Sequence, residues 1–260
     1  HTEYAYCATD VTIEDNLALD AALGLQRPCL SEHAFQLYFP NGYSWSWRWQ
    51  TDPDAVERAW RTERHQMDVF IAVAHELRGK DVPVGLELDL LADGRLLLAP
   101  WDAAHFDYFI GAIHHIPEQP DEFAQGEAEG LFMREVRRLL EQPVDVLAHP
   151  FRFFRRANLD MPAHLFEEVA DLLRENDVAA EINYHSNEPP LRFIQACLER
   201  NVQLALGTDS HNLAEVGELW PHLELLRKAG VCDDDLPRVL WQPPAVGSRC
   251  PPAPVSQCGC

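Results

Sequence analysis

Short apolar runs alternate with longer amphipathic stretches along this chain of 260 residues. Each run has the length and composition of a buried strand, and the stretches between the runs have the hydrophobic period of a surface helix. Regular alternation of this kind predicts an α/β domain with a mainly parallel sheet. The apolar runs are residues 27–33, 82–90, 106–116, 144–150, 178–184 and 202–211, and the helical stretches are residues 12–25, 52–79, 129–142, 164–176, 190–200 and 212–230.

Residues 34–51 interrupt this alternation. Trp45, Trp47 and Trp49 alternate there with polar residues, which fits either a strand with one aromatic face or a structured loop. We expect a loop that packs onto the rim of the sheet rather than an aromatic binding platform.

Turn and breaker residues set the remaining boundaries. Ala-Asp-Gly at residues 92–94 is a turn signal and predicts a small hairpin after the second apolar run. The last twenty residues contain five prolines and no periodicity, which is typical of a disordered tail. We therefore expect one domain at residues 1–240 and a tail at residues 241–260.

Composition and charge limit the function classes. The net charge of −21 argues against electrostatic binding of long nucleic acids. No apolar stretch approaches the roughly 18 residues of a membrane helix. The seven cysteines are scattered or clustered near the end, a distribution that does not indicate a disulfide framework. We therefore expect a cytoplasmic enzyme that binds neither a membrane nor long nucleic acid, and the sequence indicates no particular oligomeric state.

Acidic and imidazole side chains recur at the carboxyl ends of the apolar runs, which is where parallel α/β barrels build their active sites. A single histidine at a strand end is usually a hydrogen-bonded rim residue. So many buried ionisable groups at one end would be costly unless a cation balanced them. Histidine and carboxylate together are ligands for zinc, manganese or iron, whereas Glu181 and Asn183 could simply bond neighbouring loops. The candidate ligands are His33, Glu87, His114, His149, Asp209 and His211.

The order of these motifs resembles that of the PHP (polymerase and histidinol phosphatase) family. The likeness runs from His1, followed by TEYAYC, to about Ala229. It implies a distorted (β/α)7 barrel that holds two or three divalent metal ions. The matching motifs are SEH (31–33), GLE (85–87), GAIH (111–114), AHP (148–150), EIN (181–183) and GTDSH (207–211).

The resemblance also implies three neighbouring metal sites. Glu87 would bridge the first two sites, and Glu87, Asp209 and His211 are the expected catalytic residues. The implied ligand sets are His1, Glu87 and Asp209 for the first ion, Glu87, His114 and His149 for the second, and His33, His211 and Cys7 for the third.

The sequence departs from the family pattern at two positions. Cys7 stands where the phosphatases often have a histidine. It is either a thiolate ligand that shifts the site toward softer ions or a small buried residue beside a weak third site. His1 matches the later histidine of a His-x-His motif, so the earlier histidine and its strand would lie upstream. We therefore expect a barrel that lacks one edge.

A basic cluster directly after His149 and Pro150 is the candidate phosphate-binding segment. Arg152, Arg155 and Arg156 lie in FRFFRR (151–156), and arginine suits bidentate phosphate binding. The alternative is that these arginines form surface ion pairs with the abundant acids.

Clustered divalent ions suit phosphoester hydrolysis, because they lower the pKa of bound water and neutralise phosphoryl oxygens. We therefore expect a histidinol-phosphatase-like hydrolase of small phosphomonoesters. The alternatives are a phosphodiesterase or nuclease of the same superfamily and a non-catalytic metal-binding domain.

Overall fold

A parallel sheet forms the centre of the fold. The computed structural model describes residues 1–117 and 124–248. Within them, each strand pairs only with its neighbours in sequence, and every pairing is parallel. Each predicted apolar run contains one strand, so the prediction of an α/β fold with a parallel sheet is confirmed. The strands are β1 (Leu30–His33), β2 (Val84–Leu88), β3 (Tyr108–Gly111), β4 (Val146–Leu147), β5 (Ala179–Asn183) and β6 (Leu204–Gly207).

Helices precede, connect and follow the strands. None in the described part of the chain is long and apolar enough to cross a membrane. The α-helices are α1 (Ile13–Ala22), α2 (Ala34–Tyr38), α3 (Asn41–Ser44), α4 (Pro53–Arg58), α5 (Met67–Arg78), α6 (Gln125–Leu140), α7 (Arg152–Arg156), α8 (Phe166–Glu175), α9 (Leu191–Glu199), α10 (Trp220–Lys228) and α11 (Leu236–Val239). Short 3₁₀ segments lie at Arg48–Thr51, Ala103–His105, Ala163–Leu165, Leu213–Glu215 and Asp233–Asp235, and a π-helical turn lies at Ala59–Glu63.

The predicted helical stretch 52–79 is divided into two helices. Arg64 and His65 adopt positive φ angles of 50° and 30°, which interrupts helical geometry between the π-helical turn and α5. The second helix then buries residues at helical spacing, beginning with Met67 and Phe70. The periodicity predicted the buried face, but the break depends on local backbone geometry.

Strand burial matches a sheet that is covered on both faces. All residues of β2 and β5 are buried, as expected for parallel strands that pack against helices. Helix α8 contributes Phe166, Val169 and Leu173 to the core, a spacing that places them on one face of a helix. This continuous core holds the carboxyl ends of the strands in fixed positions.

The aromatic segment 34–51 forms helical turns rather than a strand. Helix α2 follows β1 directly, so the segment lies beside the carboxyl end of the sheet. Trp49 is fully buried, and its indole N–H donates to the Ser44 carbonyl at 2.9 Å. Trp47 has a φ of 56° and stacks on His115 with ring centroids 5.4 Å apart. The segment is thus a rigid part of the rim.

The sheet is open between its first and last strands. In the described part of the chain, β1 pairs with β2, and β6 pairs with β5. A cavity of about 540 Å³, here named the rear cavity, occupies this opening, and both Leu30 and Leu206 line it. The sheet therefore has six strands among the described residues, and a seventh strand remains a prediction.

The segment predicted as a tail begins alongside β6. Leu240 forms a parallel bridge to Leu204, and the Trp241 N–H donates to the Leu204 carbonyl at 3.0 Å. The Gly247 N–H donates to the Asp107 carboxylate at 2.7 Å. The rest of the predicted tail, residues 249–260, lies outside the described residues.

Gly207 in β6 packs tightly against a buried side chain, because a Cβ there would lie 1.9 Å from Glu181 Oε1. Glu181 is buried and accepts the His149 N–H at 2.6 Å, so it cannot move away cheaply. We expect Gly207→Ala to lower the free energy of unfolding by about 1–3 kcal/mol in urea denaturation. Gly130→Ala is the control, since a Cβ on this helical residue meets nothing within 4 Å and should stabilise α6 by up to about 1 kcal/mol. Equal effects of the two substitutions would contradict the expectation.

Candidate metal centre

The carboxylate of Glu87 lies at the centre of the site. Glu87 is in β2, opposite His33 at the end of β1. Its Oε2 lies 2.7 Å from His33 Nδ1 and 3.3 Å from His1 Nε2. Its Oε1 lies 3.0 Å from His149 Nε2 and 3.3 Å from His114 Nε2. Each carboxylate oxygen therefore faces two imidazoles, which is an arrangement suited to a bridging ligand.

Asp209 completes the group predicted for the first metal ion. Its Oδ1 lies 3.0 Å from His1 Nε2, and its backbone adopts a left-handed φ of 48° directly after β6. Candidate ligand atoms of His1, Glu87 and Asp209 all lie within 4.8 Å of one another. The structure thus brings the start of the chain and the segment after the last strand together at one point.

His211 joins the same cluster from the loop after β6. Its Nδ1–H donates to the Asp209 carbonyl at 2.6 Å, so Nε2 is the nitrogen left for a ligand. Ligand atoms of His1, His33 and His211 also lie within 4.8 Å of one another. A further group, not predicted from the sequence, combines His211 with His185 and Glu215.

Cys7 lies beside the cluster but belongs to none of these groups among the described residues. Its sulfur accepts the side-chain amide N–H of Gln36 at 3.4 Å, and burial raises the pKa of its thiol. A ligand role for Cys7 stays a prediction.

Two buried carboxylates orient the imidazoles and were not predicted as site residues. Asp89 accepts the Nδ1–H of His114 with distances of 3.0 and 3.1 Å to its two oxygens. Glu32 lies 3.2 Å from His1 Nδ1. Such carboxylate–histidine pairs leave Nε2 free and raise ligand basicity. For Asp89 the signal was present in the sequence, because it follows Glu87 by two residues and extended residues two apart share a side.

Glu181 and Asn183 hold two other ligands in place. The Glu181 carboxylate accepts the His149 backbone N–H at 2.6 Å, where His149 has a φ of 27°. The Asn183 side-chain amide donates to Glu181 at 3.1 Å and to Asp209 at 3.0 Å. The loops that this pair bonds are therefore those of the candidate metal centre.

Burial and charge move the pKa values of the cluster in opposite directions. Burial alone would raise the pKa of Glu87, but the surrounding imidazoles hold it well below its ordinary value. Burial would lower the pKa of His114, but Asp89 and Glu87 raise it to about 9. Burial and the neighbouring Arg152 guanidinium lower the pKa of His149 to about 3. The positive charge favoured on His114 therefore offsets part of the negative charge of the buried carboxylates.

The residues present fit divalent metal ions. His33 Nδ1 is buried and lies 2.7 Å from Glu87 Oε2, but the contact lacks the directional geometry of a good hydrogen bond. An unpaired buried nitrogen beside a carboxylate is expected of a metal ligand and is costly otherwise. The donor set of imidazoles and carboxylates suits zinc, manganese or iron.

A second cavity, here named the front cavity, lies on the other side of the cluster and has a volume of about 330 Å³. His1, Glu87 and Asp209 line the rear cavity, while four other histidines line the front one. The front cavity is lined by Cys7, Thr9, His33, Phe35, Trp45, His114, Arg152, Arg156, His185, His211 and Asn212.

Helix α7 places the three arginines of the predicted basic cluster in two different environments. Buried Arg152 donates to Asp209 Oδ2 at 2.8 Å, and its Nη2 lies 3.2 Å from His114 Nε2. Arg156 lines the front cavity together with Arg152, since residues four apart lie on one face of a helix. Arg155 does not line that cavity and donates to exposed Glu188 at 2.8 Å. The structure thus brings two of the three arginines to the candidate site.

The fold and the site together define a parallel α/β domain with a candidate multinuclear metal centre at the carboxyl ends of its strands. The chain matches the PHP domain family over residues 1–185 and belongs to that family. This confirms the resemblance in the motifs. The PHP family comprises metal-dependent phosphoesterases.

Two relatives illustrate the range of the family. The chain is 27% identical over 209 residues to the DNA polymerase/3'-5' exonuclease PolX of Bacillus subtilis, with 79% of this chain and 32% of that protein covered. It is 27% identical over 234 residues to a probable histidinol-phosphatase of Deinococcus radiodurans, with 77% of this chain and 79% of that protein covered. The chain therefore spans about a third of the length of the polymerase.

The orienting role of Asp89 can be tested by Asp89→Asn. The amide keeps the size of the side chain but loses the charge that raises the basicity of His114. We expect metal affinity, measured by competition with a chromogenic chelator, to fall about 10- to 100-fold. Asp93→Asn is the matched control, because Asp93 is exposed and pairs with Arg95 in the turn. A wild-type affinity in Asp89→Asn would remove Asp89 from the centre.

Proposed function

We propose that this domain hydrolyses small phosphomonoesters with two or three divalent ions, zinc, manganese or iron, held by the residues around Glu87. The observation that supports this most directly is the charge of the front cavity. In a chain of net charge −21, its described lining includes two arginines and no carboxylate. An anionic substrate is therefore attracted to the side of the metal centre whose described lining contains no carboxylate.

Each ligand has a distinct task in this proposal. Glu87 offers one oxygen to the His1 and His33 side and the other to the His114 and His149 side, so it is the natural bridge. Asp209 would hold the first ion with one oxygen and accepts from Arg152 with the other. His211 extends the cluster toward the front cavity. When bound there, the ions would lower the pKa of a ligand water and neutralise phosphoryl oxygens.

The arginines bind and orient the phosphoryl group. Arg152 is buried and is fixed by Asp209, so its guanidinium is already placed beside the ligands. Arg156 lines the same cavity. Burial lowers the pKa of its guanidinium first of all, and the nearby Arg152 adds to this effect. Two guanidinium groups in one cavity favour binding of an anion between them, and phosphate matches their geometry.

Cavity size and total charge favour a monoester over a nucleic acid. A volume of about 330 Å³ holds one phosphoryl group and a small leaving group, whereas single-stranded nucleic acid requires an extended basic groove. The exonuclease named among the relatives keeps a phosphodiesterase as the second candidate. Loss of catalysis with retention of metal is the third.

Turnover of model substrates separates these candidates. With metal-loaded protein purified without chelator, we expect hydrolysis of p-nitrophenyl phosphate and at most weak hydrolysis of bis(p-nitrophenyl) phosphate. Glu87→Gln and Asp209→Asn should each reduce turnover by more than about a hundredfold, because even groups that only orient ligands are worth 10- to 100-fold. Circular dichroism checks that both variants keep the fold.

Preference for the diester would favour the phosphodiesterase instead. Bound metal without turnover of either substrate would identify a non-catalytic domain. Near wild-type turnover in both variants would show that the site has been wrongly assigned.

The division of α7 predicts different effects for two adjacent arginines. Arg156→Gln should raise KM for p-nitrophenyl phosphate about tenfold or more, since a hydrogen bond to a charged group is worth about 1.5–3 kcal/mol. Arg155→Gln should leave KM unchanged, because the Arg155 guanidinium pairs with Glu188 outside the front cavity. The measurement is steady-state kinetics at constant metal content. The opposite ranking of the two variants would exclude this phosphate site.

A further inference from the structure

An exposed tryptophan forms part of the wall of the front cavity. Trp45 lines this cavity together with Phe35, Arg152 and Arg156. Phe35 is fully buried, whereas Trp45 leaves 42% of its surface in solvent. A single exposed tryptophan needs no explanation by itself. Its position in the same cavity as two arginines and four candidate ligands is what requires one.

Trp45 is held rigidly by other aromatic rings. Its ring centroid lies 5.4 Å from that of Phe35 at an interplanar angle of 76°, and 6.3 Å from that of Trp47 at 79°. Both are edge-to-face contacts, which fix the plane of the indole. The surface that Trp45 offers to a ligand is therefore set before the ligand arrives.

The backbone beside Trp45 is strained in a way that maintains this arrangement. Trp47 has a φ of 56°, which is costly for a bulky side chain and persists only where tertiary contacts enforce it. Here the contacts are stacking of Trp47 on His115 at 5.4 Å and on His114 at 6.0 Å. The aromatic wall formed by Phe35, Trp45 and Trp47 is thus in direct contact with the candidate metal ligand His114.

A flat apolar surface beside a phosphate site can bind a planar ring of the substrate. Planar rings stack on indole by dispersion and quadrupole attraction, and such contacts do not depend on the identity of the ring. The lining near the wall carries no carboxylate among the described residues, so it does not select a cationic group. We propose that Trp45 determines substrate specificity by stacking on a planar aromatic or heteroaromatic leaving group of the phosphomonoester.

This inference rests on the proposed function for the reaction, but the wall itself can be tested by binding alone. Benzyl phosphate and cyclohexylmethyl phosphate have leaving groups of similar size and differ in planarity and aromaticity. With the metal-loaded enzyme, Trp45→Ala should lower kcat/KM about tenfold for benzyl phosphate, equivalent to about 1.4 kcal/mol, and less than about threefold for the cyclohexyl ester. Trp45→Phe should retain most of the benzyl preference, because a planar ring remains.

Trp101→Ala is the matched control. Trp101 has the same exposed fraction of 42% but lies beside Arg61 outside the front cavity, so both esters should keep their wild-type kcat/KM. Equal losses for the two esters in Trp45→Ala, or a loss in Trp101→Ala as large as in Trp45→Ala, would overturn the inference and leave the proposed hydrolysis intact.

If the wild type hydrolyses neither ester, the binding of phosphonates tests the role of Trp45 instead. Isothermal titration should then give tighter binding of benzylphosphonate than of cyclohexylmethylphosphonate to the metal-loaded protein. Trp45→Ala should abolish that difference. Equal affinities of the wild type for the two phosphonates would overturn the inference, and a persistent difference in Trp45→Ala would do the same.

Discussion

The contact between a buried carboxylate and four imidazoles is the interaction on which the other features depend. Glu87 could not stay ionised in the core without partners, because an isolated buried charge costs far more than a domain can tolerate. Its partners come from separate parts of the chain: His33 from β1, His114 and His149 from the segments after β3 and β4, and His1 from the start. The order and register of the strands bring these four rings to one carboxylate.

The same arrangement explains why the centre faces two cavities of opposite character. Glu87 and Asp209 lie on the rear side, within the opening of the sheet. The front side contains imidazoles and the guanidinium groups of Arg152 and Arg156. An anion approaching from the front meets only neutral or cationic groups, while the acids remain behind the ligands. The charge separation therefore arises where strands end, in the loops that follow them and in α7.

Much of the fold and the metal centre could be predicted from the sequence, because both follow from regular rules. Apolar runs define strands, and parallel strands place their carboxyl ends at one edge, so the meeting of Glu87 with His114 and Asp209 was foreseeable. The division between Arg155 and Arg156 was not, since it depends on the helical phase of a five-residue helix that has no clear periodic signal. The spacing of Asp89 from Glu87 placed it on the correct side of the strand, but the break at Arg64 depends on local backbone geometry.

The strictly sequential order of the sheet has a consequence for how the molecule forms. Each strand pairs with the one made just before it, so every pairing in the sheet joins strands that are neighbours in the sequence. The pairing of His1 with Asp209 cannot form until β6 is in place. A growing chain therefore cannot complete the group formed by His1, Glu87 and Asp209 until the segment after β6 has been made.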